Sequence, residues 1–94
     1  MYYASHRLYI SKNSPLGLHV VKVEQGRVIA LFLFERELQS MLWFDTLLLS
    51  ENNSLDGSEG TFDYIIDVAT PSAEGQFLYV VEKKGDSYSL HLIS

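Results

Sequence analysis

Cysteine is absent from the chain, which removes disulfides, thiolate nucleophiles and every zinc site built on sulfur. Whatever stability the fold has must come from packing. Basic residues are missing over a long stretch: between Arg36 and Lys83 there is no Lys or Arg, while Glu37, Asp45, Glu51, Asp56, Glu59, Asp63, Asp67, Glu74 and Glu82 follow one another. Nucleic-acid affinity rests on clustered cations that displace counterions, so this acidic half argues against DNA or RNA as a partner. A solvated surface that keeps the domain in solution is its plain reading.

Long apolar runs are also lacking. The most apolar region, Val28 to Leu49, is interrupted by Glu35, Arg36, Glu37, Gln39 and Asp45 within about one bilayer thickness of residues, so it reads as core and no membrane partner is expected. Met1-Tyr2-Tyr3-Ala4-Ser5-His6-Arg7 offers neither a basic leader nor the apolar stretch of a secretory signal, which makes the cytoplasm the expected location. Nucleotide-binding glycine patterns and a Gly-x-Ser-x-Gly elbow are absent too, leaving no phosphate cradle and no activated serine.

What is present suits one small folded domain spanning residues 1–94. Apolar residues make up 47% and aromatic residues 13% of the 94 positions, enough to offset the entropy of ordering the chain. Tyr3 to Ile10 alternates apolar and polar residues, the mark of a half-buried strand. Asn13, Ser14, Pro15 and Gly17 then form a loop. Leu18–Val23 and Arg27–Phe34, separated by Glu24-Gln25-Gly26, read as a hairpin. Leu42–Leu49 reads as a buried strand, and the loop 50–60 has little to bury. Residues 35–41, between Phe34 and Leu42, fit either a loop or a single helical turn.

Three further alternating segments, Phe62–Val68, Phe77–Val81 and Tyr88–Leu92, are expected as strands, the last two joined at Lys84-Gly85-Asp86. The fold class is therefore all-β: a small, mainly antiparallel sandwich or open barrel of six or seven strands. Its core is expected from Leu8, Ile10, Val21, Val23, Ile29, Leu31, Leu33, Trp43, Leu47, Phe62, Tyr64, Ile66, Phe77, Tyr79, Val81, Tyr88, Leu90 and Leu92.

Few side chains suggest chemistry. His6, His19 and His91 are far apart in sequence, and a metal site would need all three to converge with supporting partners. Asn52, Ser54, Asp56, Gly57 and Asp63 loosely track a calcium loop, but Asn replaces the first Asp, Glu59 replaces an apolar residue and Asp63 is shorter than the usual glutamate. Asp63 and Asp67 fall on one side of the expected strand as exposed carboxylates. No catalytic, cofactor-binding or metal-binding residue is assigned from these patterns, and no cofactor is expected.

The aromatics exceed what one face of a small sheet needs, and Ile65, Leu78, Val80 and Ile93 put apolar side chains on the opposite face as well. Such a second face is covered either inside a sandwich or by a subunit, most simply in a symmetric homodimer. The expected function is a non-catalytic interaction or accessory module with a protein partner. A small-ligand-binding barrel with a pocket lined by tyrosines and histidines is the alternative.

Ala4-Ser5-His6-Arg7-Leu8-Tyr9-Ile10, Gly17-Leu18-His19-Val20-Val21-Lys22-Val23 with Gly26-Arg27-Val28, and Trp43-Phe44-Asp45-Thr46-Leu47-Leu48-Leu49 resemble the opening of metal-dependent amidohydrolases, where a small β domain precedes the catalytic barrel. The resemblance covers about half the chain. Thr46 stands where the family usually has glycine, Ser50-Glu51 replaces its Pro-Gly, and its His-x-His motif is absent. A barrel of about 250 residues does not fit in the remainder. The resemblance thus implies the accessory β domain alone, without hydrolase residues.

Overall fold

In the computed structural model, which describes residues 1–94, Gln25 and Gly26 have φ of 53° and 76°. Positive φ at both central residues is what a two-residue type I′ hairpin turn demands. They join β2 (His19–Glu24) to β3 (Arg27–Leu33), as the sequence suggests, with Glu24 paired to Arg27. The remaining elements are β1 (Tyr2–Tyr9), β4 (Met41–Ser50), β5 (Glu59–Gly60), α1 (Phe62–Ala69), β6 (Phe77–Lys84) and β7 (Ser87–Ile93).

All strands lie in one sheet of order β3-β2-β1-β4-β6-β7-β5. Every neighbouring pair is antiparallel except β1 and β4. A parallel pair needs a crossover, and here the β2–β3 hairpin with residues 34–40 supplies it in place of a helix. The sheet is open but curled: the Val28 N–H donates to the Gln76 carbonyl at 2.8 Å, bringing the start of β3 to the approach of β6. This is the expected small, mainly antiparallel all-β fold with seven strands.

β4 is the spine. Its first part pairs with β1 and its last part with β6, so that Leu47 and Leu48 have partners on both sides. Leu47, Leu48 and Leu49 are all buried, and they divide between two apolar clusters. A continuous apolar run is what a strand covered on both faces requires. One cluster, with Leu48, Tyr79 and Leu90, receives Ile65, Ile66 and Ala69 of α1. The other, with Leu8, Val21, Leu47 and Leu78, fills the curl. Gly75 permits the return to β6 beside β4, since a Cβ there would meet the Ser50 amide nitrogen at 2.6 Å.

Phe62–Val68 is a correction: the segment is helix α1, not a strand. The Thr61 hydroxyl accepts from the Tyr64 N–H at 3.1 Å, an N-cap that satisfies a free amide, and Asp63 in the first turn complements the helix dipole. Phe62, Ile65, Ile66 and Ala69 recur at helical spacing and pack on the sheet, while Tyr64 points away. Asp63 and Asp67 consequently lie one helical turn apart.

Residues 35–41 form no helical turn. The chain leaves β3 level with His19 and must return to the level of Tyr2, where β4 begins. It does so in an extended path closed by a turn in which the Met41 N–H donates to Leu38. The loop 50–60 also buries more than expected: Leu55 is in the core and Glu59–Gly60 pairs with Ser89 and Tyr88. Among the residues expected in the core, Ile29, Leu33, Trp43 and Tyr64 are exposed. The first two lie on an edge strand, where only one neighbour exists to cover them.

Candidate functional site

The exposed apolar side chains collect at one end of the sheet. Ile29, Phe32 and Leu33 of β3 are 51%, 39% and 58% exposed, and Leu42 and Trp43 at the start of β4 are 47% and 37% exposed. Tyr2 meets Phe32 edge-on, and Phe34 and His6 both contact the Trp43 ring. The loop after β3 fixes this surface, because the Trp43 indole N–H donates to Glu37 at 3.1 Å. Beside it Tyr2, Phe32, Leu33, Glu35, Arg36 and Leu38 line a shallow groove of about 370 Å³. Phe32 and Trp43 lie on one face of the sheet, with Tyr2, Phe34 and His6 between and beside them, while Leu33 and Leu42 lie on the other; the aromatic group has the character of a docking surface.

The second half of β3 also has an open backbone edge, since β3 ends the sheet and only its start is covered, where the Val28 N–H donates to the Gln76 carbonyl. The Phe34 N–H donates to Leu18, and Phe32 and Ala30 lie opposite Val20 and Lys22 in the same alternation. Ladder geometry therefore turns the amide groups of Leu31 and Leu33 outward. No Pro or Lys interrupts Val28 to Phe34, residues by which free edges are commonly blunted.

A second concavity, about 470 Å³, opens where the sheet splits. β4 and β6 pair only from Leu47 to Ser50, so Phe44, Asp45 and Thr46 diverge from Val81, Glu82 and Lys83, with Arg7 and Tyr88 completing the walls. Arg7 and Asp45 are joined at 2.6 Å. The Arg7 and Thr46 hydrogen bonds hold the Asp45 carboxyl below the usual carboxylate range, and Asp45 in turn raises the Arg7 guanidinium. The ion pair neutralises the floor. Tyr88 lines this cleft, but no histidine does.

Ser89, His91 and Glu82 come together on neighbouring strands, a grouping that the sequence reading missed. Ser89 Oγ lies 3.2 Å and a Glu82 oxygen 3.3 Å from His91. Both approach the same ring nitrogen, Nε2. A relay needs the base to hold the nucleophile on one nitrogen and its orienting carboxylate on the other, so the arrangement is a surface cluster. The signal was present in the register, since Glu82 pairs with Ser89 and His91 lies two residues on, but only once the β6–β7 hairpin is built.

The other candidates are dispersed. His6 stacks on Trp43, while His19 lies near the Gly17 carbonyl. No group of three or more His, Asp or Glu side chains is placed to hold a metal. In the calcium-like loop, Asn52 accepts from Ser54 and Asp56 accepts from the Leu92 N–H, so these oxygens brace the backbone. Asp67 pairs with Lys12 at 3.1 Å. No helix is long and apolar enough to cross a membrane. Compared with protein-family models, with curated proteins and with solved structures, the chain matches none of them.

Proposed function

We propose that this chain is a non-catalytic protein-interaction module that works by self-association. The observation that carries the reading is the row of exposed apolar side chains on β3, Ile29, Phe32 and Leu33, along a strand whose second half has an unpaired backbone edge. The two core clusters are complete without them. Burial of such surface stabilises an association by roughly 25 cal/mol per Å² before the cost of docking is subtracted. The cleft at the sheet split offers a neutralised ion pair and no activated group, which supports a binding role over catalysis. An accessory place beside a larger catalytic chain, as the amidohydrolase likeness implies, belongs to the same proposal.

Light scattering from micromolar to near-millimolar protein tests it. A mass of twice the chain, formed reversibly, is the expected result. A single-chain mass throughout, together with failure to bind an apolar dye, would overturn the proposal.

A further inference from the structure

Resting on the reading of this chain as an interaction module, but not on its self-association, we infer that the cleft at the sheet split takes an extended segment of a partner protein as an added strand between β4 and β6. The β4–β6 ladder stops at Leu47 and Val80, although β4 starts at Met41 and β6 runs on to Lys84. Facing backbone is therefore unpaired on both strands.

The hydrogen-bond phase identifies the free groups. Leu90 bonds Gly57 and Ser58 through its carbonyl and N–H, so alternation turns the backbone groups of Val81 and Lys83 away from β7 and toward β4. The last step of the β4–β6 ladder engages the Val81 N–H with the Thr46 carbonyl, leaving the Val81 carbonyl and both groups of Lys83 open. On β4 the phase shifts. Met1 and Val23 bond each other, which aims Ala4 at β4, whereas Leu8 and Leu16 bond each other, which aims Arg7 there instead. That shift leaves the Trp43 carbonyl and the Asp45 N–H directed at β6.

These groups match one kind of guest. A strand parallel to β4 bonds one carbonyl and the N–H two residues on, as Trp43 and Asp45 present them. The same strand, antiparallel to β6, exchanges two bonds with Lys83 and donates a third to Val81. Three extended residues occupy about 480 Å³ at the usual strand and sheet spacings, and the cleft holds about 470 Å³. Register then sets the side chains. The first guest residue lies opposite Lys83, which makes no ion pair, and is acidic. The second lies opposite Glu82 and beside Phe44, where a lysine lays its stem on the ring and its ammonium near the carboxylate. The third lies opposite Val81, with Tyr88 close by, and is apolar.

The probe is the capped peptide Thr-Glu-Lys-Val-Thr, titrated into dilute protein and followed by amide NMR. Saturable shifts at Asp45, Val81 and Lys83, with slowed exchange of the Asp45 and Lys83 amides, are the expected result. Methylating the peptide's valine nitrogen removes the N–H aimed at the Val81 carbonyl and should abolish them. Lys83→Glu, at an exposed position, should weaken this peptide about fivefold, the ratio a surface charge contact supplies, and should prefer Thr-Lys-Lys-Val-Thr. That reversed preference also shows that the variant is folded.

No saturable shift at millimolar peptide, shifts confined to β3, or equal binding of the methylated peptide would overturn the inference, as would a Lys83→Glu variant that keeps the original preference. A chain that stays monomeric at every concentration overturns self-association and leaves strand addition standing, so the two fail separately.

Discussion

The Tyr79 hydroxyl donates to the Asn52 carbonyl at 2.7 Å and accepts from the Leu55 N–H at 3.2 Å. One wholly buried side chain thus holds both sides of the turn that follows β4, and burial pushes its phenol above the ordinary tyrosine value. Tyr79→Phe keeps the ring in the core but leaves two backbone groups without their partner. The expected cost is about 1–3 kcal/mol, read as a lower urea midpoint with an unchanged slope. A midpoint equal to that of the wild type would show that the hydroxyl does not organise this turn.

Two buried serines should respond with opposite signs. Ser50 Oγ donates to the Ala69 carbonyl at 2.7 Å and accepts from the Asn52 N–H, whereas Ser5 Oγ is buried with no partner. Ser50→Ala strands both groups and should destabilise by about 1–3 kcal/mol. Ser5→Ala removes an unsatisfied hydroxyl and should stabilise by about 1 kcal/mol. Parallel chemical melts decide the matter, and losses of equal size in both variants would contradict it.

Helix α1 ends in strain. Thr70 caps it in the left-handed region at φ 47°, a conformation that suits glycine and is further disfavoured before a proline such as Pro71. Thr70→Gly should raise stability by about 1 kcal/mol despite losing the hydroxyl contact with the Asp67 carbonyl. A fall in melting temperature would mean that this side-chain bond outweighs the backbone strain.

Acid should weaken the Arg7–Asp45 pair at the sheet split only at low pH. The folded-state Asp45 carboxyl titrates below the ordinary value because of the Arg7 hydrogen bond and then that of Thr46. The stabilisation it lends is therefore complete above its unfolded value, about 3.9, and is lost as pH falls through the lower folded value. Carbon-detected NMR titration should find Asp45 depressed in the wild type and shifted back toward the ordinary value in Arg7→Met. Equal titration in the two proteins would remove the ion pair from the account. Since both side chains are exposed, the effect on stability is small.

The strands were largely legible. The pattern of Tyr3 to Ile10 places β1, although Tyr3, Ala4 and Ser5 are buried in succession on both faces, and Gln25-Gly26 marks the hairpin turn. Phe62–Val68 was misread because Phe62, Tyr64, Ile66 and Val68 satisfy a period of two while Phe62, Ile65, Ile66 and Ala69 satisfy 3.6. The Thr61 cap was the signal that separates them. The apolar surplus was visible in composition, but its location was not. Ile29, Leu33 and Trp43 look like core until the strand order leaves β3 at the edge and carries β4 away from β6. Likewise the Glu82–His91–Ser89 cluster depends on hairpin register, which no spacing along the chain displays.

Amide exchange at Leu31 and Leu33 tests the central claim most directly, because their outward N–H groups have no partner strand in a single chain. The account predicts that both exchange fast in dilute solution and become strongly protected as concentration rises, while Ala30 and Phe32, bonded to β2, are protected in both. Fast exchange at Leu31 and Leu33 at every concentration would contradict it, and would leave the edge of β3 open.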